Sequence, residues 1–598
     1  MRYRPEIDGL RAIAVIAVIW FHSGLPGLPG GYTGVDVFYV ISGYLITSII
    51  HREMHGGQFS FRHFYQRRFR RIAPALVTVI GATTIPSFAL LLPYELQAFA
   101  KSAAAAVAMV SNLYFWRSLN YFAPEHSLAP LLHTWSLGVE EQFYLLFPVT
   151  LVIAERFGKA RLAIALLGLG SFILCVAITA PMPAASFYLL PTRGWELMLG
   201  ASLAVGLVSV PESLRQASSL AGVALTIAAS LLIGPDDPFP GWRALVPTLG
   251  AALLIGGGSR TAAARALSLP PLVYIGRISY SFYLWHWPIL VFLRHWRADP
   301  DLPPVVALSG IAVAFFLSAA TYRWIEQPAR DKATPFRRVL RPSIWGAAAI
   351  LVASTVAVAG RGLPQRLPAR VDAIAAVHDG YAPLAHDCVT GGFDRVQKIC
   401  HFGPAGDPTL LLWGDSHAAA ISEAVADAIG RPGLLISVAA CPPVVDWAEG
   451  TNTVMCKSSG ARMLHYAETD NHLKIVVLSV HWAVLRDEAG PRGWAAMQHV
   501  VDRLNAAGRT VVVVAGVPDP GVDVPWTSAI RARFGRTPVH LNCPPAQVPL
   551  HGVILVDVSA GFCRKPAYLL FTDTNHPSRY AGLAIIAPAI RKTFAAVR

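Results

Sequence analysis

Residues 409–421 read TLLLWGDSHAAAI, an apolar run that stops at Gly414-Asp415-Ser416-His417 before an alanine-rich, helix-forming stretch. A serine just past the carboxyl end of a strand is well placed for chemistry, because open α/β sheets bind their ligands there. Its hydroxyl becomes a nucleophile only when a base takes the proton and an acid orients that base. Near the C-terminus, FTDTNHPSRY sets Asp573 and His576 three residues apart, so one turn can present both. Ser416, His576 and Asp573 form a complete nucleophile, base and acid set by residue type. The plainer reading is that Asp415 and Ser416 merely cap the following helix.

A second set lies in apolar surroundings near the N-terminus. Arg11 and His22 are eleven residues apart. On a helix that spacing turns about 1100°, back to within about 20° of the same face, and rises about 16 Å. Ionisable groups inside a membrane are costly and usually serve function. The alternative for His22 is an interfacial histidine bonded to a carbonyl. Asp36 opens the next apolar run in GGYTGVDVFYVISGYLI, close in sequence to the end of the first. There it is expected to orient His22 and raise its basicity, or else to cap a helix. RHFYQRRFRRIAP gathers Arg67, Arg68, Arg70 and Arg71, which suits a polyphosphate or simply marks a cytoplasmic loop. In HTWSLGVEEQFYLLFP, Glu140 and Glu141 point about 100° apart on a helix, so at most one is expected to face a given cavity. Arg193, Glu196, His286 and Glu326 are further polar intrusions, each as readily structural as functional.

The elements that must position these groups follow from composition. The chain has 598 residues, 54% hydrophobic and 14% charged, with mean hydropathy +0.46. That balance points to a polytopic membrane protein. Apolar runs of about spanning length lie near 8–25, 34–51, 72–93, 135–154, 161–180, 187–208, 217–233, 243–258, 271–295, 304–325 and 343–360. The alanine-rich stretch 98–116 contains Lys101 and Asn112 and is expected to be re-entrant or partly embedded. The basic segments 62–71, 155–161, 259–266 and 330–341 all fall in the cytoplasm if there are eleven spans and the N-terminus is inside. The net charge of +14 is therefore read as topology rather than as nucleic-acid binding. The N-terminal run has no small-residue cleavage pattern and is read as an uncleaved first span.

That parity puts the C-terminal part outside, and the cysteines agree. Cys175 sits in an apolar run, whereas Cys388, Cys400, Cys441, Cys456, Cys543 and Cys563 all follow residue 380. An even set in the soluble part suggests disulfides in an oxidising compartment; six free thiols are the alternative. Proximity favours the pairs Cys388–Cys400, Cys441–Cys456 and Cys543–Cys563. No spacing resembles a zinc site, and no metal is expected. A Pro- and Gly-rich linker covers about 361–408. Beyond it, apolar runs 409–413, 474–480, 510–516 and 553–558 read as buried parallel strands, with helix-like runs 417–429, 494–507 and 578–596 between them. The expected fold is an α-helical membrane domain plus an α/β domain with a parallel sheet.

Two resemblances join these observations. Residues 405–598 resemble the SGNH (GDSL-like) hydrolase and acyltransferase superfamily through Gly414-Asp415-Ser416 and Asp573/His576. The family's usual glycine and Gly-x-Asn-Asp blocks, which help form the oxyanion hole, are not evident; where the latter is expected, LSVHWAVL stands at 478–485. Residues 5–330 closely resemble the acyltransferase-3 family of membrane acyltransferases. That match rests on the Arg11-x10-His22 spacing, GVDVFYVISGYLI, FYQRR, HTWSLGVEEQFYLLFP and ISYSFYLWHWP in that order. The implied organisation is an acyltransferase domain over 1–330, an additional span (343–360) and periplasmic linker within 331–408, and an SGNH-like domain over 409–598. The resemblance implies a bacterial inner-membrane O-acetyltransferase whose C-terminal domain is periplasmic. Its donor substrate is acetyl-CoA, with no bound cofactor, and its acceptor is a cell-envelope glycan such as lipopolysaccharide O-antigen. Arg11, Arg67, Arg68, Arg70, Arg71, Glu140 and Glu141 are the implied donor-binding groups. His22 with Asp36, and Ser416 with His576 and Asp573, are the implied catalytic groups. Two other functions compete. A transporter or flippase has no need of Ser416, and a membrane-anchored esterase needs only one span.

Overall fold

The computed structural model describes residues 3–118, 128–390, 398–445 and 453–597. The chain forms two compact units, residues 1–364 and 365–598.

The first unit is helical, and every expected apolar run falls on a helix. Among the described residues, six helical stretches are long and apolar enough to cross a membrane: Gly31–His55, Phe61–Leu90, Thr134–Arg156, Ala160–Thr179, Pro304–Arg330 and Phe336–Ala359. The remaining runs are shorter or more polar. Leu245–Gly257 has 13 residues, about 20 Å of helix against a hydrocarbon core of about 30 Å. Leu190–Ala204 has 15 residues and contains Arg193 and Glu196. The chain is thus a multi-pass membrane protein, and its helices do not all span as simple apolar rods. The ambiguous stretch 98–116 lies on two helices, Pro93–Val107 and Ser111–Ser118, and the first packs on Phe336–Ala359.

Close helix contacts place the polar groups. Helices Gly34–His55 and Leu190–Ala204 pack backbone to backbone: a Cβ on Gly43 would lie 1.8 Å from the Leu197 carbonyl oxygen, and one on Gly200 would lie 2.0 Å from that of Val40. Small residues allow this approach in membranes, where packing replaces the hydrophobic drive. The contact brings the first turn of one helix, with Asp36, beside the first turn of the other, with Arg193.

Among the described residues, the second unit holds a seven-stranded sheet: β1 (Val389–Thr390), β2 (Cys400–Phe402), β3 (Leu410–Gly414), β4 (Gly433–Val438), β5 (Ile475–Ser479), β6 (Thr510–Ala515) and β7 (Ile554–Asp557). The order is β1-β4-β3-β5-β6-β7, all parallel, with β2 antiparallel on β4. Leu410 and Leu412 pack into one core, Leu411 and Trp413 into another, so both faces are covered by helices. Strand β4, the run GLLISV, lies beyond the four runs expected from sequence. The sheet also begins at Val389, ahead of residue 409, because β1 and β2 add to the far side of β4. Disulfides join Cys388–Cys400, Cys441–Cys456 and Cys543–Cys563, and Cys175 is a buried free thiol.

Candidate active site

In the second unit, β3 ends at the point where the strand order reverses, with β4 on one side and β5 on the other. Gly414 lets the chain leave the sheet there, since a Cβ would lie 1.8 Å from the Ser479 carbonyl oxygen. The turn is held from both sides. Ser437 Oγ donates to the Asp415 carbonyl at 2.7 Å, and the His481 N–H donates to Asp415 Oδ2 at 2.8 Å. Asp415 Oδ1 accepts the His417 N–H at 2.8 Å and so caps the helix that begins at Ser416. Burial opposes ionisation of Asp415, yet His417 and these N–H donors hold its carboxyl below the usual range. The capping reading therefore holds for Asp415, whose side chain and not that of Ser416 caps the helix.

Ser416 Oγ lies 2.7 Å from His576 Nε2, and His576 Nδ1 lies 2.7 Å from Asp573 Oδ2. Asp573 Oδ1 accepts the N–H groups of Asn575 (3.0 Å) and His576 (2.8 Å), which fixes the loop that carries both residues. The Tyr381 hydroxyl reaches Asp573 Oδ2 at 3.3 Å. Burial favours the neutral acid, but His576 and the two N–H donors bring Asp573 down to about 2. A carboxylate on Nδ1 makes that nitrogen the donor, so the Nε2 lone pair faces the serine proton. The rings of His481, His417 and His576 form a stack, with centroids 4.9 and 4.8 Å apart. Here LSVHWAVL contributes a backbone donor to Asp415 and a second histidine–carboxylate pair, His481 with Asp519 at 3.3 Å.

In the first unit, a narrow cavity of about 80 Å³ is lined by Arg11, Arg68, Arg71, Glu140, Glu141 and Tyr283, among others. These come from four helices far apart in sequence. Glu140 accepts from Ser42 Oγ at 2.7 Å and from the Tyr144 hydroxyl at 3.2 Å. Both glutamates line the cavity, against the expectation that only one would; the space wraps round enough of helix Thr134–Arg156 to take in neighbours about 100° apart. The arginine cluster divides. Arg68 and Arg71 face the cavity, whereas Arg67 pairs with Glu53 at 2.8 Å. Arg70 donates to the carbonyls of Ala329, Asp331 and Thr334 at 3.0, 3.1 and 2.8 Å. Those contacts tie Arg70 to the chain between two helices.

His22 ends helix Pro5–His22 and is buried. Its Nδ1 lies 3.0 Å from His286 Nε2, and His286 Nδ1 lies 2.6 Å from the Tyr283 carbonyl oxygen. The expected orienting partner, Asp36, is placed elsewhere. Its Oδ1 accepts from Arg193 Nη2 at 2.9 Å, Arg193 also pairs with Glu196 at 2.7 Å, and the rings of Tyr39, Trp135, Phe187 and Phe239 surround the guanidinium. The physical reason is the Gly43/Gly200 helix contact, which sets Asp36 opposite the buried Arg193 guanidinium and joins it to the Arg193–Glu196 pair. Glu326 accepts from Ser281 Oγ. Among the described residues, His51, His55 and Glu155 are grouped closely enough to hold a cation; His51 Nδ1 lies 2.7 Å from Glu155 Oε1.

Sequence reasoning brought Ser416, Asp573 and His576 together, as the structure does; of the seven residues it expected at the donor site, Arg11, Arg68, Arg71, Glu140 and Glu141 line one cavity, and Arg67 and Arg70 are held elsewhere. It missed Tyr381, His417, His481 and Tyr283, and it noted His286 without a role. For His286 the signal was present, a histidine inside an apolar run.

Comparison with known proteins bears on both units. The model of the acyltransferase domain family matches residues 4–323, and that of the SGNH domain fused to AT3 domains matches residues 387–592. The chain is similar to O-acetyltransferase OatA of Staphylococcus aureus, strains NCTC 8325 / PS 47 and COL. It is 34% identical to each over 354 residues, which cover 55% of this chain and 58% of the relative. The match thus spans little more than half the length of these relatives. No solved structure matches the chain.

Proposed function

Because the chain belongs to the acyltransferase domain family and carries the fused SGNH domain, we propose that it moves an acetyl group from acetyl-CoA across a bacterial inner membrane. The acceptor is a hydroxyl of an extracytoplasmic glycan, such as lipopolysaccharide O-antigen. The observation that carries this reading is the Ser416–His576–Asp573 set, 2.7 Å at each step, in one chain with an arginine-lined membrane cavity.

In this proposal Arg11, Arg68 and Arg71 hold the donor's phosphates at the cytoplasmic side, where guanidinium forks suit phosphate oxygens. His22 either takes the acyl group itself or takes the proton of a hydroxyl that attacks the thioester; the carbon–sulfur bond breaks and CoA leaves as the thiol. Outside, the Ser416 oxygen attacks the acyl carbonyl while His576 Nε2 takes its proton and hands it to the group released, the His22 nitrogen or that hydroxyl's oxygen, as the earlier acyl bond breaks. The ester so formed is then attacked by a sugar hydroxyl, whose proton passes to His576, and the serine proton is restored as the acetyl leaves. In this reading the N-terminus lies inside and residues 361–598 outside, which the distribution of the basic segments supports. Glycan from a deletion strain, with and without the restored gene, tests this by mass and NMR. Acetyl esters should vanish on deletion and return on complementation; unchanged acetylation would refute the assignment.

A further inference from the structure

In the first unit a second buried histidine meets His22. His286 is buried on helix Pro270–Arg297, and its two ring nitrogens face partners of opposite demand. Nδ1 lies 2.6 Å from the Tyr283 carbonyl oxygen. A carbonyl only accepts, so Nδ1 carries the hydrogen. In a neutral imidazole the other nitrogen then carries the lone pair. That nitrogen, Nε2, lies 3.0 Å from His22 Nδ1. His22 must therefore donate from Nδ1, which leaves the lone pair of its own ring on Nε2.

We propose that His286 is the positioning residue of the membrane site, and that through it the Tyr283 carbonyl selects Nε2 of His22 as the nitrogen that takes a proton or an acyl group. This deepens the proposed function and rests on its assignment of His22. It replaces the carboxylate expected at this position: Asp36 is held by Arg193, and the orienting partner is a backbone carbonyl acting through a second ring. The pattern is that of a general base whose tautomer is fixed from behind. Three further observations fit. The His22 and His286 rings lie nearly parallel, 5° apart. The His22 ring also rests against Trp287, centroids 4.6 Å apart. Arg294 Nη2 donates to the His22 carbonyl at 2.8 Å, pinning the helix end that carries the ring. Tyr283 also ties this arrangement to the donor cavity, since its side chain lines that cavity and its hydroxyl lies 2.8 Å from Ser136 Oγ. Among the described residues, the titratable or charged groups that face His22 are His286, Arg294 and His133.

The test uses the full chain in inside-out membrane vesicles supplied with acetyl-CoA, with release of the CoA thiol followed against pH. His286→Gln keeps an acceptor for His22 Nδ1 and a donor for the Tyr283 carbonyl; His286→Leu keeps neither. His286→Leu should lower the rate about 100-fold, in line with loss of general-base catalysis, and should move the pH profile. His286→Gln should restore most of the rate and the parental profile. The proposal is overturned if His286→Leu retains the parental rate and profile, or if the glutamine variant does no better than leucine at equal amounts of folded protein. Should the leucine variant fail to accumulate, the glutamine variant decides alone, a parental profile supporting the proposal and a lost one overturning it. His22→Ala runs in parallel. A full rate there would remove the role of His22 itself, a different failure from one confined to the His286 variants.

Discussion

The two histidine sites of this chain solve one problem by opposite means. In the second unit His576 is oriented by a carboxylate three residues away, beside the carboxyl end of β3, with part of its ring open to solvent. In the membrane unit His22 is buried and meets His286, 264 residues on, whose own partner is a backbone carbonyl. The nearby membrane carboxylate, Asp36, is held in a buried ion group with Arg193 and Glu196. Where water can reach, an ionised acid is a cheap way to orient an imidazole. In apolar surroundings a charge needs a counter-charge, and a neutral carbonyl orients the ring without one.

That contrast breaks first at the nucleophile and the base. His22→Ala should bring glycan acetylation to background in cells with normal levels of the protein; wild-type acetylation would make His22 structural. Replacing His576 or Asp573 by Ala should each cost nearly as much as replacing Ser416, and combining the changes should add little, because triad members act as a unit. Independent, multiplying losses would mean that the 2.7 Å contacts are not used together.

A middle-sized effect separates the arginines. Arg68→Ala should weaken acetyl-CoA binding about 10-fold or more, the scale of one charged hydrogen bond, whereas Arg67→Ala should change it little because Arg67 is paired with Glu53. Equal effects, read by titration of the detergent-solubilised chain, would show that the basic segment acts only through its net charge.

The smallest effect concerns Asp573. Its carboxyl, held near 2, lies below its ordinary value of about 3.9, so it adds stability that is complete above the higher value and is lost as pH falls through the lower. The gap in melting temperature of the second unit between parent and Asp573→Asn should narrow as pH drops from about 5 towards 3. A gap independent of pH would place the stabilisation elsewhere.

The same contrast explains what was legible in the sequence. Ser416 and the Asp573/His576 pair were readable because each rests on local spacing, a turn after a strand and a three-residue step. The capping role of Asp415 was readable for the same reason. The partner of Asp36 was not, since Arg193 is 157 residues away and meets it through a glycine contact that leaves no local trace. Arg67 and Arg70 looked identical to Arg68 and Arg71 in sequence; only the helix face and the neighbouring chain separate them. Strand β4 escaped because a short apolar run after Pro432 has no periodicity to mark it.

The central claim is that acyl transfer passes through both sites, and Ser416→Ala tests it most directly. Cells carrying the full chain with this change should bind acetyl-CoA through the intact membrane cavity with parental affinity, yet their glycan should carry no acetyl esters by NMR. Full acetylation in those cells would contradict the account, because the membrane site would then deliver the acetyl group without the serine.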